Sequence, residues 1–528
     1  MYCKVFLFIL AIINPCYNYK ILLVFPFNFR SHGILGEGIL NILLEAGHEV
    51  TYITPYPVED THLNLRQVII KRYDFTGITV KKFIENHKDP RDLGYIFQEM
   101  LNISYRTISD PSVQALMEDT TQTFDLVMVE WMVNDLYSGF SAVFNCPYIW
   151  FFTYENTHQI LRLVHEPPNP VLVTNIRTDN VPPYNLLQRA WELFYFVYSA
   201  VFRYFYYNPT EAATYEKLFV PILSKRGRML PPYDEIRYNA SLVFTNTHIT
   251  LRDRLVTPQN YKAIGGFHVS KTFQPLSKEL SDIIESSNHG VILFSTGSHL
   301  KSEDMPSGLK RDLLTMFSKF NQTVLWKIDE HFEDMPSNVK TFPWIPHQSV
   351  LAHPKCVLFI THGGFLSLTE SVHYGVPVIG APIFADQGVN MKIVVKKGIG
   401  RMVHLGPEWA DSAGNVLKEA VEDVLNNPSY KENVMKLSSI YHDRLTSPAS
   451  EVLHWVEHVI VTQGAPHLRS PAVLVTWYQR YMDVAFVVIA LIIVVFVVTK
   501  LLLLMISKVK NVLFNTQNNT EVMLKKLH

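Results

Sequence analysis

The chain has 528 residues, 48% of them apolar, with 47 Lys and Arg against 48 Asp and Glu. That length is too great for one compact core and predicts two folded domains. A formal charge of −1, with no basic stripe, excludes nucleic acid as a partner.

Residues 1–18 carry Lys4, the apolar run "VFLFILAII" and a polar stretch up to Asn18. This is the layout of a secretory signal peptide, too short to span a bilayer as a stable helix. The segment that follows, "YKILLVFPFNFRSHGILGEGILNILLEAGHEVTYITPYP", predicts a strand over Lys20–Phe27, a helix over Gly33–Ala46 and a second strand over Glu49–Thr54. Such a βαβ unit opens a parallel α/β domain. Its first strand-to-helix loop holds Arg30, Ser31 and His32 at the rim where open parallel sheets bind ligands. The glycines of "GILGEG" (Gly33–Gly38) are in the wrong order for a dinucleotide fingerprint, which argues against a Rossmann oxidoreductase.

Further strands are predicted at Leu126–Val129, Pro147–Phe152 and Leu242–Thr245. Between them, "WELFYFVYSAVFRYFYYNP" (Trp191–Pro209) is dense in aromatics. It reads as a core or pocket-lining helix, with a helix resting on a bilayer surface as the sharper alternative. Residues 19–260 form the first domain, and the Gly- and Pro-bearing stretch 261–287 is its linker to the second. That second domain, 288–448, repeats the α/β pattern through "VILFSTGS", "TVLWKI", "VLFITHGG" and "VPVIGAP". Two doubly wound domains facing each other across a cleft is the economical architecture.

A closing helix near Ser450–Thr462 and a juxtamembrane segment make up 449–483. Val484–Ile506 is strongly apolar with Lys500 its only charge, long enough to span a bilayer, with Lys500 able to snorkel to the interface. The tail, 507–528, carries Lys508 and Lys510 next to the span, as a cytosolic flank does. Lys525 and Lys526 near its end resemble a dilysine retrieval signal of endoplasmic-reticulum membrane proteins. Cys3 and Cys16 leave with the leader, and Cys146 and Cys356 fall in separate domains, so neither a disulfide framework nor a metal cluster is expected. Sequons at Asn102, Asn239 and Asn321 permit glycosylation in the secretory pathway, whereas that at Asn518 falls on the cytosolic side.

The chemistry concentrates in the second domain. His362, Gly363 and Gly364 follow a strand and open a helix, where first-turn N–H groups and the helix dipole favour a diphosphate. Ser367 and Glu370 share one face of that helix, and a carboxylate there suits ribose hydroxyls. Asp386 and Gln387 follow the next strand and can hydrogen-bond a sugar. "STGS" (Ser295–Ser298) supplies small residues for phosphate, and Trp344 offers a flat face for a base.

With "WIPHQSVLAHP" and "THGGFLSLTESVHYGVPVIGAPIFADQGVN" in this order, the chain resembles the UDP-glycosyltransferase family, specifically its membrane-bound animal members. The resemblance extends to "FRSHG" (Phe29–Gly33), "GAPHLR" (Gly464–Arg469) and "TWYQRYMDV" (Thr476–Val484). It implies the GT-B arrangement of two Rossmann-like domains, followed here by a single transmembrane helix, with the catalytic domains on the lumenal side of the endoplasmic-reticulum membrane. By resemblance, Trp344 stacks on uracil and Glu370 holds the ribose. His362, Gly364, Ser367 and Ser298 bind the diphosphate, Asp386 and Gln387 hold the sugar, and Asn390 completes the donor site. His347 stands where the family pattern has Gln, and Gln348 follows one step later.

His32 becomes the candidate base, accepting a hydroxyl proton through a neutral imidazole. The family places an Asp behind this base; counting along "FDLVMVEW" puts Glu130 there, with Asp135 as the alternative. The expected reaction is a single inverting displacement. The UDP-sugar is the co-substrate, and no cofactor or metal takes part. The acceptor is a small lipophilic alcohol or phenol, as in detoxification. The resemblance to insect members favours glucose; glucuronic acid is the vertebrate alternative. A catalytically idle binder of lipophilic ligands and a UDP-sugar epimerase remain the rival readings, and association between copies stays open.

Overall fold

The computed structural model describes residues 18–526 except 60–61, 74–91, 155–157, 165–177, 179, 252–256, 270–274, 298–301, 303–304, 384–385, 405–412 and 472–481. The leader read from residues 1–18 therefore lies almost wholly outside the described residues. The chain forms two compact units, residues 1–470 and 471–528.

The first unit contains two parallel sheets. Strands β1 (Lys20–Val24), β2 (Glu49–Thr54), β3 (Leu65–Ile69), β4 (Leu126–Glu130), β5 (Tyr148–Phe152), β6 (Leu242–Thr245) and β7 (Tyr261–Ala263) lie in the order β3-β2-β1-β4-β5-β6-β7. Strands β8 (Val291–Ser295), β9 (Thr323–Lys327), β10 (Val339–Phe342), β11 (Cys356–Thr361), β12 (Val378–Gly380) and β13 (Gly400–Met402) lie in the order β10-β9-β8-β11-β12-β13. This is the two-domain Rossmann-like architecture expected from the sequence.

The apolar runs are unbroken because helices cover both faces of each sheet. Alternate residues of β1 show the consequence: Leu22 and Val24 join one core with Val127, Val129 and Trp150, while Ile21 and Leu23 join another with Leu126, Met128 and Ile149. In each sheet the strand order reverses at one place, between β1 and β4 and between β8 and β11. Crevices at such switch points, beyond the strand carboxyl ends, are where doubly wound sheets hold ligands.

Residues 261–287 are not a plain linker. Tyr261–Ala263 is the edge strand β7, paired with β6 through Val243, Phe244 and Thr245. The helix Lys278–Ser286 buries Leu280 and Ile284 in a core with Val291 and Leu293 of the second sheet. A three-residue edge strand is too short to show a period, and the Gly and Pro residues around it masked both elements. The helix Pro448–Val461 packs Val452, Val456 and Val459 into the core of the first domain, so the chain crosses back after completing the second.

Trp191–Pro209 does not form a core helix. The helix Leu186–Phe202 and the π-turn Arg203–Tyr207 leave most of their aromatic and aliphatic side chains exposed. In the second unit, the helix Met482–Lys526 contains an apolar stretch, Ala485–Asn511, long enough to cross a membrane. It fits a single-pass anchor.

Candidate active site

His32 sits in the first turn of the helix Arg30–Glu45, directly after β1, and Glu130 closes β4. The switch point of the first sheet therefore brings together two residues 98 positions apart: His32 Nδ1 is hydrogen-bonded to Glu130 Oε1. The rings of Phe27 and Phe29 flank the imidazole, each with its centroid 5.5 Å away. The Glu130 side chain is fully buried, and its second oxygen has no hydrogen-bond partner among the described residues. A carboxylate in this position accepts the Nδ1 proton, fixes the tautomer and leaves Nε2 with a lone pair. Asp135 is committed elsewhere. It accepts from Trp131 Nε1 at 2.8 Å and pairs with the Arg162 guanidinium at 2.7 Å, and neighbouring guanidinium groups hold its carboxyl low against the cost of burial.

The switch point of the second sheet carries the other half. His362 and Gly363 follow β11, and Gly364 caps the helix Phe365–Tyr374. The His362 ring lies between this loop and the one after β8. A Cβ on Gly297 would come 2.7 Å from His362 Cε1, and one on Gly364 would come 2.6 Å from Nε2. Gly297 also has φ +83°, open only to glycine at little cost. Both glycines thus keep the imidazole at the mouth of the helix. Ser367 lies in the first turn of this helix, mostly buried. Ser298 lies outside the described residues.

Glu370, one turn further, accepts a hydrogen bond from Gln348 Nε2 at 3.1 Å. Burial pushes its carboxyl up to about 7, with the Gln348 bond pulling the other way. Gln348 also reaches the carbonyl of His268 in the first domain at 3.5 Å. Its neighbour His347 is turned inward, Nε2 has no partner among the described residues, and burial, then Lys327, lowers its pKa to about 4.

Trp344 is 54% exposed, leaving a ring face open for stacking. Lys327, the last residue of β9, lies 5.6 Å from that ring and donates to the Gly297 carbonyl at 2.9 Å. Sequence reasoning passed over this lysine. Its signal was a single charge closing the apolar strand "TVLWK" at the rim of the sheet.

Asp386 precedes the helix Gln387–Lys396. Gln387 Oε1 accepts from the Ile383 N–H at 2.7 Å, and Asn390 Nδ2 donates to Asp386 at 2.7 Å and to the Gly363 carbonyl at 2.9 Å. Asn390 is buried and spans the loops after β11 and β12, so it fixes the glycine loop from behind. The two rims meet where Tyr154, just past β5, packs edge-on against Phe365, ring centroids 6.2 Å apart. Leu366 joins the same seam against the first-domain core.

Comparison with known proteins gives a consistent result. The family profile described as "UDP-glucoronosyl and UDP-glucosyl transferase" matches residues 190–514. UDP-glycosyltransferase UGT5 of Dactylopius coccus is 30% identical over 93% of this chain and 93% of its own length. UDP-glucosyltransferase 2 of the same insect is 32% identical over 87% of each chain. The human UDP-glucuronosyltransferase 2B15 is 26% identical over 92% of this chain and 93% of its own. Among solved structures, a UDP-glucosyltransferase from Polygonum tinctorium superposes with a TM-score of 0.56 at 15% identity, over 85% of this chain and all of that one, a likeness of fold. Two facing parallel sheets, with a paired histidine at one switch point and a glycine-opened helix at the other, thus come with sequence kinship along nearly the whole chain: it belongs to the UDP-glucuronosyl and UDP-glucosyl transferase family, an enzyme that transfers sugar from a UDP-sugar.

Proposed function

We propose that this enzyme transfers glucose from UDP-glucose, with inversion, to the hydroxyl of small lipophilic acceptors. The observation that carries the proposal is the His32–Glu130 pair at the rim of the first sheet, on the side that meets the donor helix. His32 Nε2 takes the acceptor proton while the oxygen attacks the anomeric carbon from the face opposite UDP. The bond from that carbon to the β-phosphate oxygen breaks, and the departing charge falls toward His362 and the N–H groups opening the helix Phe365–Tyr374. Trp344 stacks on the base, Glu370 takes the ribose hydroxyls, Ser367 and Gly364 take the diphosphate, and Asp386 and Gln387 take the sugar. The reaction uses no cofactor or metal beyond the UDP-sugar.

Glucose is favoured because, over most of the chain, the insect relative called a UDP-glucosyltransferase is 32% identical and the human UDP-glucuronosyltransferase 2B15 only 26%. The chain is a single-pass membrane protein with residues 19–483 in the lumen of the endoplasmic reticulum. Microsomes containing the enzyme are given labelled UDP-glucose or UDP-glucuronic acid with a panel of phenols, flavonoids and steroids, with and without EDTA. Glucoside formation insensitive to the chelator is expected. Transfer from UDP-glucuronic acid alone would replace the sugar. UDP binding without any transfer would remove the catalytic reading in favour of an idle binder.

A further inference from the structure

The chain leaves β4 through a strained turn. Trp131 follows Glu130, and its N–H donates to the Phe151 carbonyl of β5 at 2.7 Å. Three residues on, the Asn134 N–H donates back to the Met132 carbonyl at 2.8 Å and closes a three-residue turn centred on Val133. Val133 has φ +64°, and among the described residues it is the one β-branched side chain in the left-handed region. Branching at Cβ makes that region a genuine outlier, and three-residue turns with a positive central φ are rare and strained.

The surroundings hold the turn in place. Asn134 is buried; its Nδ2 donates to the Met100 and Met132 carbonyls at 3.1 and 3.2 Å, and its Oδ1 accepts from the Leu136 N–H at 3.3 Å. Trp131 Nε1 and the Arg162 guanidinium fix Asp135 at the far end. A backbone overdetermined in this way keeps a conformation that glycine or asparagine would adopt at less cost. What the valine adds is its side chain.

That side chain joins the apolar cluster beside the histidine. Phe27, Met100 and Ile103 are its buried layer, while Phe29, Met132 and Val133 pack on them and stay partly exposed. Phe27 and Phe29 are the two rings that flank the His32 imidazole. Packing alone is a weak reason for the strain, since a partly exposed valine gains only part of its burial energy in the free protein. The remainder is available to a ligand that covers it. We propose that Val133 is a specificity-determining residue, a wall that the turn holds against the flat, uncharged ring of an aromatic acceptor whose hydroxyl reaches His32. Phe29 and Met132 suit the same ligand, because aromatic rings and thioethers both contact ring edges and faces favourably. The inference rests on the reading that the acceptor enters beside His32, and adds the residue that selects it.

The test uses the full-length protein in phosphatidylcholine vesicles, with 1-naphthol as acceptor and labelled UDP-glucose as donor. Val133→Asn keeps a residue that tolerates the left-handed region, and Val133→Gly removes the side chain outright. In both, the KM for 1-naphthol should rise about tenfold, the loss expected when part of one valine's apolar contact disappears. Affinity for UDP and kcat should change far less, and the thermal midpoint should hold or rise as the strain is released. A midpoint that falls by several degrees at unchanged KM would make Val133 a packing residue alone. A lower kcat at unchanged KM would make the turn a device for aiming Glu130. Either result overturns the proposal. Calorimetric titration of 1-naphthol into the UDP-bound proteins separates this inference from the catalytic one. Weaker binding in both variants supports the wall even where the unaltered protein transfers no glucose. Transfer with equal binding in all three proteins leaves the catalytic reading standing and removes the wall.

Discussion

At the scale of single residues, the pairing of His32 with Glu130 fixes what substitution should do. His32→Ala removes the proposed base and should lower kcat by about 10²- to 10⁴-fold. Glu130→Gln keeps the size of the side chain but disturbs the tautomer, and its loss should largely vanish in the His32→Ala background, because partners acting as a unit are non-additive. Full additivity in steady-state kinetics of the double variant would separate them. Glu370 makes a different prediction. Burial pushes its carboxyl up from 4.5 to about 7, so the empty site holds a proton below neutrality that the unfolded chain would release. Its protonated form therefore favours the fold most below the unfolded value, and that contribution is lost as pH rises through 7. If Glu370 holds the ribose as proposed, the hydroxyls donate to its ionised form, so donor binding expels the proton and affinity should climb up to tenfold per unit as pH rises toward 7, then level off. Calorimetry with UDP-glucose, whose diphosphate diester does not titrate near neutrality, should show proton release at pH 6. Glu370→Gln should bind more weakly and release none from this group.

At the scale of elements, the loops after β8 and β11 work as one device, with the His362 ring caught between Gly297 and Gly364. Gly364 has φ −63° and ψ 146°, a conformation any residue adopts. Gly364→Ala therefore displaces the imidazole without straining the backbone, since its Cβ would stand 2.6 Å from Nε2. The KM for UDP-glucose should rise several-fold while the thermal midpoint barely moves; an unchanged KM would show that the position of His362 does not matter to the donor. The central strands were legible in the sequence because strands buried on both faces read as unbroken apolar runs. The edge strands β3, β7, β10 and β13 were not, being three to five residues long and only partly buried. At the site, the loops were legible from their glycines and from position after a strand. The lysine at 327 was not, because its partner is a backbone carbonyl that sequence cannot locate. The helix Leu186–Phe202 misled for a related reason: aromatic density signals burial only if something exists to bury it.

At the scale of the whole molecule, the two domains meet at a joint lined with histidines. His248 and His268 come from the first domain, and His373 ends the helix that carries Ser367 and Glu370. Tyr441, His442 and Arg444 approach from the helix Ser429–His442 and the residues just after it. The His373 and His442 rings are 4.4 Å apart, the His248 and Tyr441 rings are 4.8 Å apart, and the Tyr441 hydroxyl donates to the Gly265 carbonyl at 3.3 Å. Burial first, and neighbouring cations second, lower the pKa of His248 and His373 to about 4; burial and then His373 do the same to His268. All three are held neutral in the fold, whereas the unfolded chain takes up their protons near 6.5. Between those values the unfolded state binds more protons, so the stability they contribute is intact above about 6.5 and is lost as pH falls toward 4. The full-length protein in vesicles should show a thermal midpoint that drops by several degrees across this window, with donor binding weakening alongside, because His373 ends the helix proposed to hold the donor. His373→Gln should flatten the slope, since an amide fills the site without titrating. A midpoint that holds constant from pH 6.5 to 4 in the unaltered protein would mean that the joint opens to water and does not couple the domains.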